Sequence, residues 1–256
     1  MTDHKVTQGD DTGVEARTTV SVDEQLPMTL ARLHWDMPVG TPLTLEVDRG
    51  DPGGEQVDRL RDLVVGAGFA VDDVAVEDLV VEDLSIRMRA HRERTLADTV
   101  GSGMRLLVCG LNPSVYAADA GVGYARPGNR FWPAARAAAI VERDRDPVDA
   151  LVHHGMGMTD LVKRATTGAS ALTAAEYRAG SARVERLVRW LRPAAVCFVG
   201  LAGWRAVVDR RAAAGEQAAG FGGVPAYVMP STSGANAHAG LDDLADHLRA
   251  AAALSR

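Results

Sequence analysis

The sequence predicts an α/β fold: a three-layer α/β/α arrangement with a short, mainly parallel central sheet, preceded by a small α+β segment. Two observations carry this. From Arg105 onward, short apolar runs alternate with stretches whose apolar residues recur at helical spacing, the order that yields a parallel sheet covered by helices on both faces. Polar loops of small residues, GLNPS and MPSTSGANAHAG, follow the first and last of these runs, as expected where parallel strands end at a ligand-binding crevice.

Residues 1 to 25 are polar and acidic, hold no aromatic residue and show no period, so a flexible tail is expected there. TPLTLEVD alternates Leu43, Leu45 and Val47 with polar neighbours, as a half-buried strand does, and GDPGGE breaks it. Val57, Leu60, Leu63 and Val64 then repeat at helical spacing until Gly66 and Gly68. FAVDDVAV and SIRMRA read as two more strands. This small α+β segment, 26–100, is followed by HRERTLADTVGSG, read as a linker whose basic residues are solvated or face a phosphate backbone.

In the larger part, 104–256, RLLVC is the first strand. Proline is tolerated only in the first turn of a helix, so Pro133 places a helix start close to Phe131. GMGMTDLV is the second strand. Thr173 with Glu176 forms a capping box, and Tyr177, Val184, Leu187, Val188 and Leu191 give the helix behind it one apolar face until Pro193. AAVCFV, LAGWRAVVDRR and VPAYVM give strand, helix and fourth strand, and Leu241, Leu244 and Leu248 a final helix. About 150 residues so arranged bury ~70% of the surface of the unfolded chain, enough for an independent core.

Composition narrows the classes. Of 256 residues, 46% are hydrophobic and 24% charged, which excludes a disordered or fibrous chain. No run approaches the ~20 apolar residues of a membrane span, and the N-terminus lacks an apolar core behind a basic head, so neither membrane nor signal peptide is expected and the cytoplasm is the expected location. Cys109 and Cys197 both fall in apolar strands and are too few for an iron–sulfur or four-cysteine zinc site. The adjacent His153 and His154 have no patterned carboxylate or cysteine around them, so no metal and no cofactor is expected. The net charge of −6 divides unevenly: residues 1 to 103 hold 10 basic and 21 acidic side chains (−11), residues 104 to 256 hold 18 and 13 (+5), so only the C-terminal part suits a polyanion.

GLNPS, GYARPGNRFW, GMTDLVKR and VMPSTS, in that order, resemble the mismatch-specific uracil and thymine DNA glycosylases, a branch of the uracil-DNA glycosylase superfamily, over residues 104 to about 250. The resemblance implies a uracil-DNA glycosylase-like fold and removal of a pyrimidine that is first swung out of the duplex. It assigns Asn112 to the attacking water, or else Asn112 serves only the turn before Pro113, with Gly110 and Leu111 beside it against the substrate and Ser114 toward DNA. Tyr124 is implied as the ring on which the extruded base stacks, or else a tyrosine packed under the loop. Asn129 is a pocket ligand or a helix cap, and Arg126 and Arg130 are phosphate partners or plain surface. Ser231, with Ser233 close behind, matches a serine that grips a phosphate.

Two departures stand out. Where the family drives a bulky residue into the hole left by the flipped base, this chain has Ser233 and Ala235, leaving Asn236 as the alternative wedge. Asp160 stands where relatives carry an amide or a lysine; it is either a base reader, accepting from N3–H but repelling a departing anion, or a cap. No lysine lies in the two loops, so no covalent imine and no strand cleavage are expected.

The expectation is a monomeric, monofunctional glycosylase acting on double-stranded DNA that carries uracil, thymine or a damaged pyrimidine opposite guanine, and so initiating base excision repair. The alternatives are a glycosylase fold that grips lesions without turnover, and a methyltransferase-like protein. The second arises because residues 28 to 100 resemble the last third of an S-adenosylmethionine-dependent methyltransferase, though without a glycine-rich cofactor turn; that segment is read as a remnant or interaction segment.

Overall fold

The computed structural model describes residues 16–47, 54–79 and 83–255. Two sheets are built. The first has the order β1-β2-β4-β3, from Ala16–Val20 (β1), Pro42–Val47 (β2), Phe69–Leu79 (β3) and Asp83–Arg92 (β4), with β1 parallel to β2 and the other pairs antiparallel. The second has the order β6-β5-β7-β9-β8, from Leu106–Gly110 (β5), Met156–Asp160 (β6), Ala195–Val199 (β7), Gly215–Phe221 (β8) and Val224–Met229 (β9). Its first four strands are parallel; β8 is an antiparallel edge.

The expected tail is corrected at its C-terminal end. Ala16–Val20 alternates its burial and pairs with Leu43–Val47, while residues 1–15 lie outside those described. Helix α1 (Leu26–Asp36) follows, unforeseen in sequence. Asp23 Oδ1 accepts from Gln25 N and Leu26 N at 2.9 and 3.1 Å, Pro27 sits in the first turn, and Leu26, Leu30 and His34, four residues apart, form the buried stripe. Helix α2 (Gly54–Gly66) matches its periodicity; most of the GDPGGE break lies outside the described residues.

Side-chain alternation in the second sheet defines the layers. Leu107, Cys109, Val196 and Phe198 face α6 (Ala174–Leu191) through Val184, Leu187, Val188 and Leu191. Leu106, Val108, Ala195 and Cys197 face α4 (Phe131–Ala137) and α8 (Leu241–Ala253). Burying each large aliphatic on α6 stabilises by roughly 1.5–3 kcal/mol. The capping box is formed in full, Thr173 Oγ1 accepting from Glu176 N and Glu176 accepting from Thr173 N. Gly180 is required where α6 touches the strand end after β6: a Cβ there would lie 1.9 Å from the Leu161 carbonyl oxygen. The short helices α3 (Val115–Ala120) and α5 (Pro147–His154) were not foreseen, and α7 (Leu201–Val207) stops four residues before the expected end.

Residues 91–103 are no solvated linker. His91 and Arg92 end β4, and Thr99 exchanges backbone bonds with Met158 at 2.9 and 2.8 Å. The core is likewise shared: one continuous apolar cluster runs from Val20, Leu45, Leu60 and Met88 through α6 to Leu107, Phe198 and Val228. The larger part does not enclose a core of its own on that face.

Candidate active site

The two polar loops lie where the parallel strands β5 and β9 end, and they enclose a cleft of about 260 Å³. Leu111, Asn112, Ser114, Tyr124, Arg126, Asn129, Asp160, Ser231 and Ser233 line it. The sequence expectation thus converges on one place. Gly110, Arg130 and Asn236 do not line it.

The first loop is held from the 161–166 segment. Leu161 N and Val162 N donate to the Gly110 and Leu111 carbonyls at 2.9 Å each, and Thr166 N to Pro113 O at 3.1 Å. Asn112 completes the brace: its Nδ2 donates to Pro113 O (3.0 Å), Arg164 O (3.0 Å) and Thr166 Oγ1 (2.8 Å). Two carbonyl acceptors fix which end of the amide is nitrogen. Oδ1 has no partner among the described residues and is what Asn112 offers the cleft. Ser114 is committed to capping α3, its Oγ accepting from Ala117 N at 3.1 Å.

Gly110 and Asp160 are paired across β5 and β6. A Cβ on Gly110 would meet Asp160 Oδ1 at 2.2 Å and the Tyr124 hydroxyl at 2.9 Å. Gly110 is therefore the gap that lets carboxyl and phenol come together behind the loop, which corrects its assignment as a substrate contact. Burial pushes the Asp160 carboxyl up to about 6, with Lys163 pulling the other way. Burial also raises the Tyr124 phenol, whose oxygen has no hydrogen-bond partner among the described residues. Tyr124 adopts φ +59 and stacks on Phe131 with centroids 4.2 Å apart and planes 20° apart; the ring is packed under the loop and also lines the cleft.

Arg130 is corrected. Its guanidinium donates to the carbonyls of Ser233 (3.1 Å), Asn236 (2.6 Å) and Ala239, and its own N–H to Thr232 O (2.9 Å). It shapes the second loop from within and is not disposed toward a phosphate. Asn236 is corrected as well, because Nδ2 donates to Ser231 O (2.8 Å) and Oδ1 accepts from His238 N (3.1 Å). A side chain used at both ends inside its own loop cannot wedge a duplex. Asn129 Oδ1 accepts from Phe131 N at 2.9 Å, which makes it a helix-entry cap that also lines the cleft. Arg126 is exposed at the cleft, and Ser231 and Ser233 each accept one weak bond from the backbone two residues on, at 3.3 Å.

Sequence reasoning missed the contribution of the N-terminal half. Trp35, Leu96, Ala97 and Thr99 line the same cleft. It also missed the buried polar support beneath it. Asp98 accepts from Lys163 Nζ (2.8 Å), Arg183 Nη1 (2.7 Å) and Thr159 Oγ1 (2.8 Å), and Arg183 Nη2 donates to the Asp160 carbonyl at 2.8 Å. A charged pair buried on α6 and in the 91–103 stretch leaves no local pattern to read. Among the described residues no group of three His, Cys, Asp or Glu side chains is placed to hold a metal, and no helix is long and apolar enough to cross a membrane.

A family model described as the uracil DNA glycosylase superfamily matches residues 98–254, which spans the second sheet, all its helices and both loops.

Proposed function

The chain belongs to the uracil DNA glycosylase superfamily, whose members act on DNA, and from that premise we propose that it is a monofunctional glycosylase removing uracil, and related pyrimidines, mispaired with guanine in duplex DNA. The observation that carries this reading is the Asn112 amide. Its nitrogen is spent on three acceptors, which leaves Oδ1 to orient a water in a cleft shared with Tyr124 and Ser231.

Hydrolysis breaks the N-glycosidic bond while water adds to the sugar carbon. Positive charge grows on the deoxyribose and the base leaves as an anion, later taking a proton. An amide holds water but does not take its proton, so catalysis is by placement. Tyr124, braced by Phe131, gives a flat surface for any pyrimidine. Asp160 makes the outcome depend on pH. As a carboxylic acid it donates to a base carbonyl; as a carboxylate it accepts from N3–H and opposes the leaving anion.

In a gel assay on a G:U duplex followed by alkali, the parent protein releases uracil and Asn112→Ala loses roughly a hundredfold or more in single-turnover rate. Equal rates would overturn the role. A second reading has its own support: residues 231–235, STSGA, are all small, as suits a protein that grips an abasic site without turnover. Tight abasic binding with no base release by the parent would establish that instead.

A further inference from the structure

We infer that Trp35, delivered by the N-terminal α+β segment, is a DNA-binding residue that stacks on a nucleobase of the substrate strand where it enters the cleft. The inference rests on the cleft being a DNA site. Trp35 and Tyr124 are the two aromatic residues in its lining. Tyr124 is sunk against Phe131 with its hydroxyl buried, whereas Trp35 is 37% exposed. A large ring lying partly bare at the wall of a polar cleft gains from being covered, and every base has a flat face to cover it.

The backbone that carries the ring is held in place. It sits in the last turn of α1, whose preceding residue His34 is buried against Phe69, edge to face at 5.8 Å. The His34 carbonyl accepts from Arg92 Nε at 2.7 Å, and Met37 N closes the helix on Leu33 O at 3.1 Å. The neighbouring strap is fixed to the far cleft wall by Arg94, which grips Asp119 of α3 through two bonds of 2.6 Å. Binding therefore costs little ordering.

Charge favours a strand here despite the acidic N-terminal half. Arg32, three residues before Trp35 and so on the same helix face, is exposed and has no ion-pair partner among the described residues. Arg126 is exposed at the cleft. Of the exposed acids on these elements, Asp119 is matched by Arg94 and Glu93 by His91, while Asp36 follows Trp35 in the chain. The second loop, with only small side chains at 231–235, supplies no aromatic surface.

Tryptophan fluorescence gives a direct test, since Trp132 and Trp204 are buried, Trp190 is half-buried under Arg59, and Trp35 is the exposed one of the four. A duplex carrying a tetrahydrofuran abasic analogue opposite guanine is titrated into the full chain, with anisotropy of a labelled duplex giving affinity. The expected result is quenching by DNA in the parent, loss of that quenching in Trp35→Phe with affinity largely kept, and weakening of roughly tenfold to a hundredfold in Trp35→Ala. Arg32→Ala should lower the slope of log affinity against log salt by about 1. Affinity of Trp35→Ala within twofold of the parent, persistence of quenching in Trp35→Phe, or no binding by the parent would each overturn the inference. Uracil release by the parent is scored separately. Release with an unaffected Trp35→Ala sinks this inference alone, and stacking without release sinks the glycosylase reading alone.

Discussion

At the scale of single residues, Asp160 sets the sharpest expectation. Its carboxyl ionises near 6 in the folded chain against an ordinary 3.8. Between those values the folded state holds a proton that the unfolded state has lost, so stability falls as pH rises from about 4 to about 6 and stays lower above. Asp160→Asn should therefore melt above the parent by a margin that is larger at pH 8 than at pH 4. His34, buried and held down to about 4 by its burial, contributes the opposite slope over much the same window, so the difference between variant and parent is the quantity to read. In single-turnover base release the parent should slow as pH rises through about 6, while Asp160→Asn stays flat; a parallel decline in both would remove Asp160 from the chemistry. That Asp160, Asn112, Tyr124 and Ser231 share one cleft could be expected from sequence because three of them lie in short motifs at strand ends and Tyr124 in the loop that leads into α4. Arg130 and Asn236 were misread because what occupies them is invisible along the chain: Arg130 bonds to carbonyls 103, 106 and 109 residues away, and Asn236 is folded back on its own loop.

Among the elements, those with a strong period or a full cap were read nearly to the residue: β5, β7, β9, α2, α6 and α8. Apart from α1, an eleven-residue helix with a buried stripe of Leu26, Leu30 and His34, those missed were short, polar or glycine-rich. β1 is five residues, ARTTV, that gain strand character only by pairing with β2. α3 has six residues, and β8 carries Gly215 and Gly220 and pairs irregularly past Gln217. The sequence therefore located the cleft but not what steadies it from beneath. Strand β6 ends at Asp160, α6 lies against its end through Gly180, and the 91–103 stretch bonds to its edge; Asp98 and Arg183 tie the three together, and Lys163 joins the same carboxylate. The two cations outweigh the cost of burying Asp98 and hold its carboxyl below the ordinary range. Asp98→Ala leaves the Arg183 guanidinium buried without its anion, which costs about 3–5 kcal/mol. Chemical denaturation should show that loss as a lower midpoint at unchanged slope. A loss under about 1 kcal/mol would mean that water or another group takes over the pair.

Over the whole molecule, the two sheets are expected to unfold together. The apolar cluster common to both leaves the smaller half without a core of its own and would bare one face of the larger, whose other face stays closed under α4 and α8. If the smaller sheet detached, α6 would keep only the side of its stripe that faces β5 and β7, and Phe69, Leu60 and Val64 would meet water. Polar links reinforce the joint: Arg186 grips Asp62 of α2 at 2.6 and 2.9 Å, and Arg183 reaches Asp98 at 2.7 Å. Opposite net charge, −11 in residues 1 to 103 and +5 in residues 104 to 256, adds an attraction that salt weakens. These terms make local opening of the first sheet nearly as costly as global unfolding, so the segment that carries Trp35 to the cleft is held there throughout the native state. Native-state hydrogen exchange measures this directly. Amides paired between β2 and β4, such as those around Leu45 and Met88, should exchange with a free energy close to that of amides in β7, such as Val196, and both should fall together with added denaturant. If the β2 and β4 amides exchange through an opening several kcal/mol cheaper than β7, the halves are separable, and the cleft can be formed without its N-terminal wall.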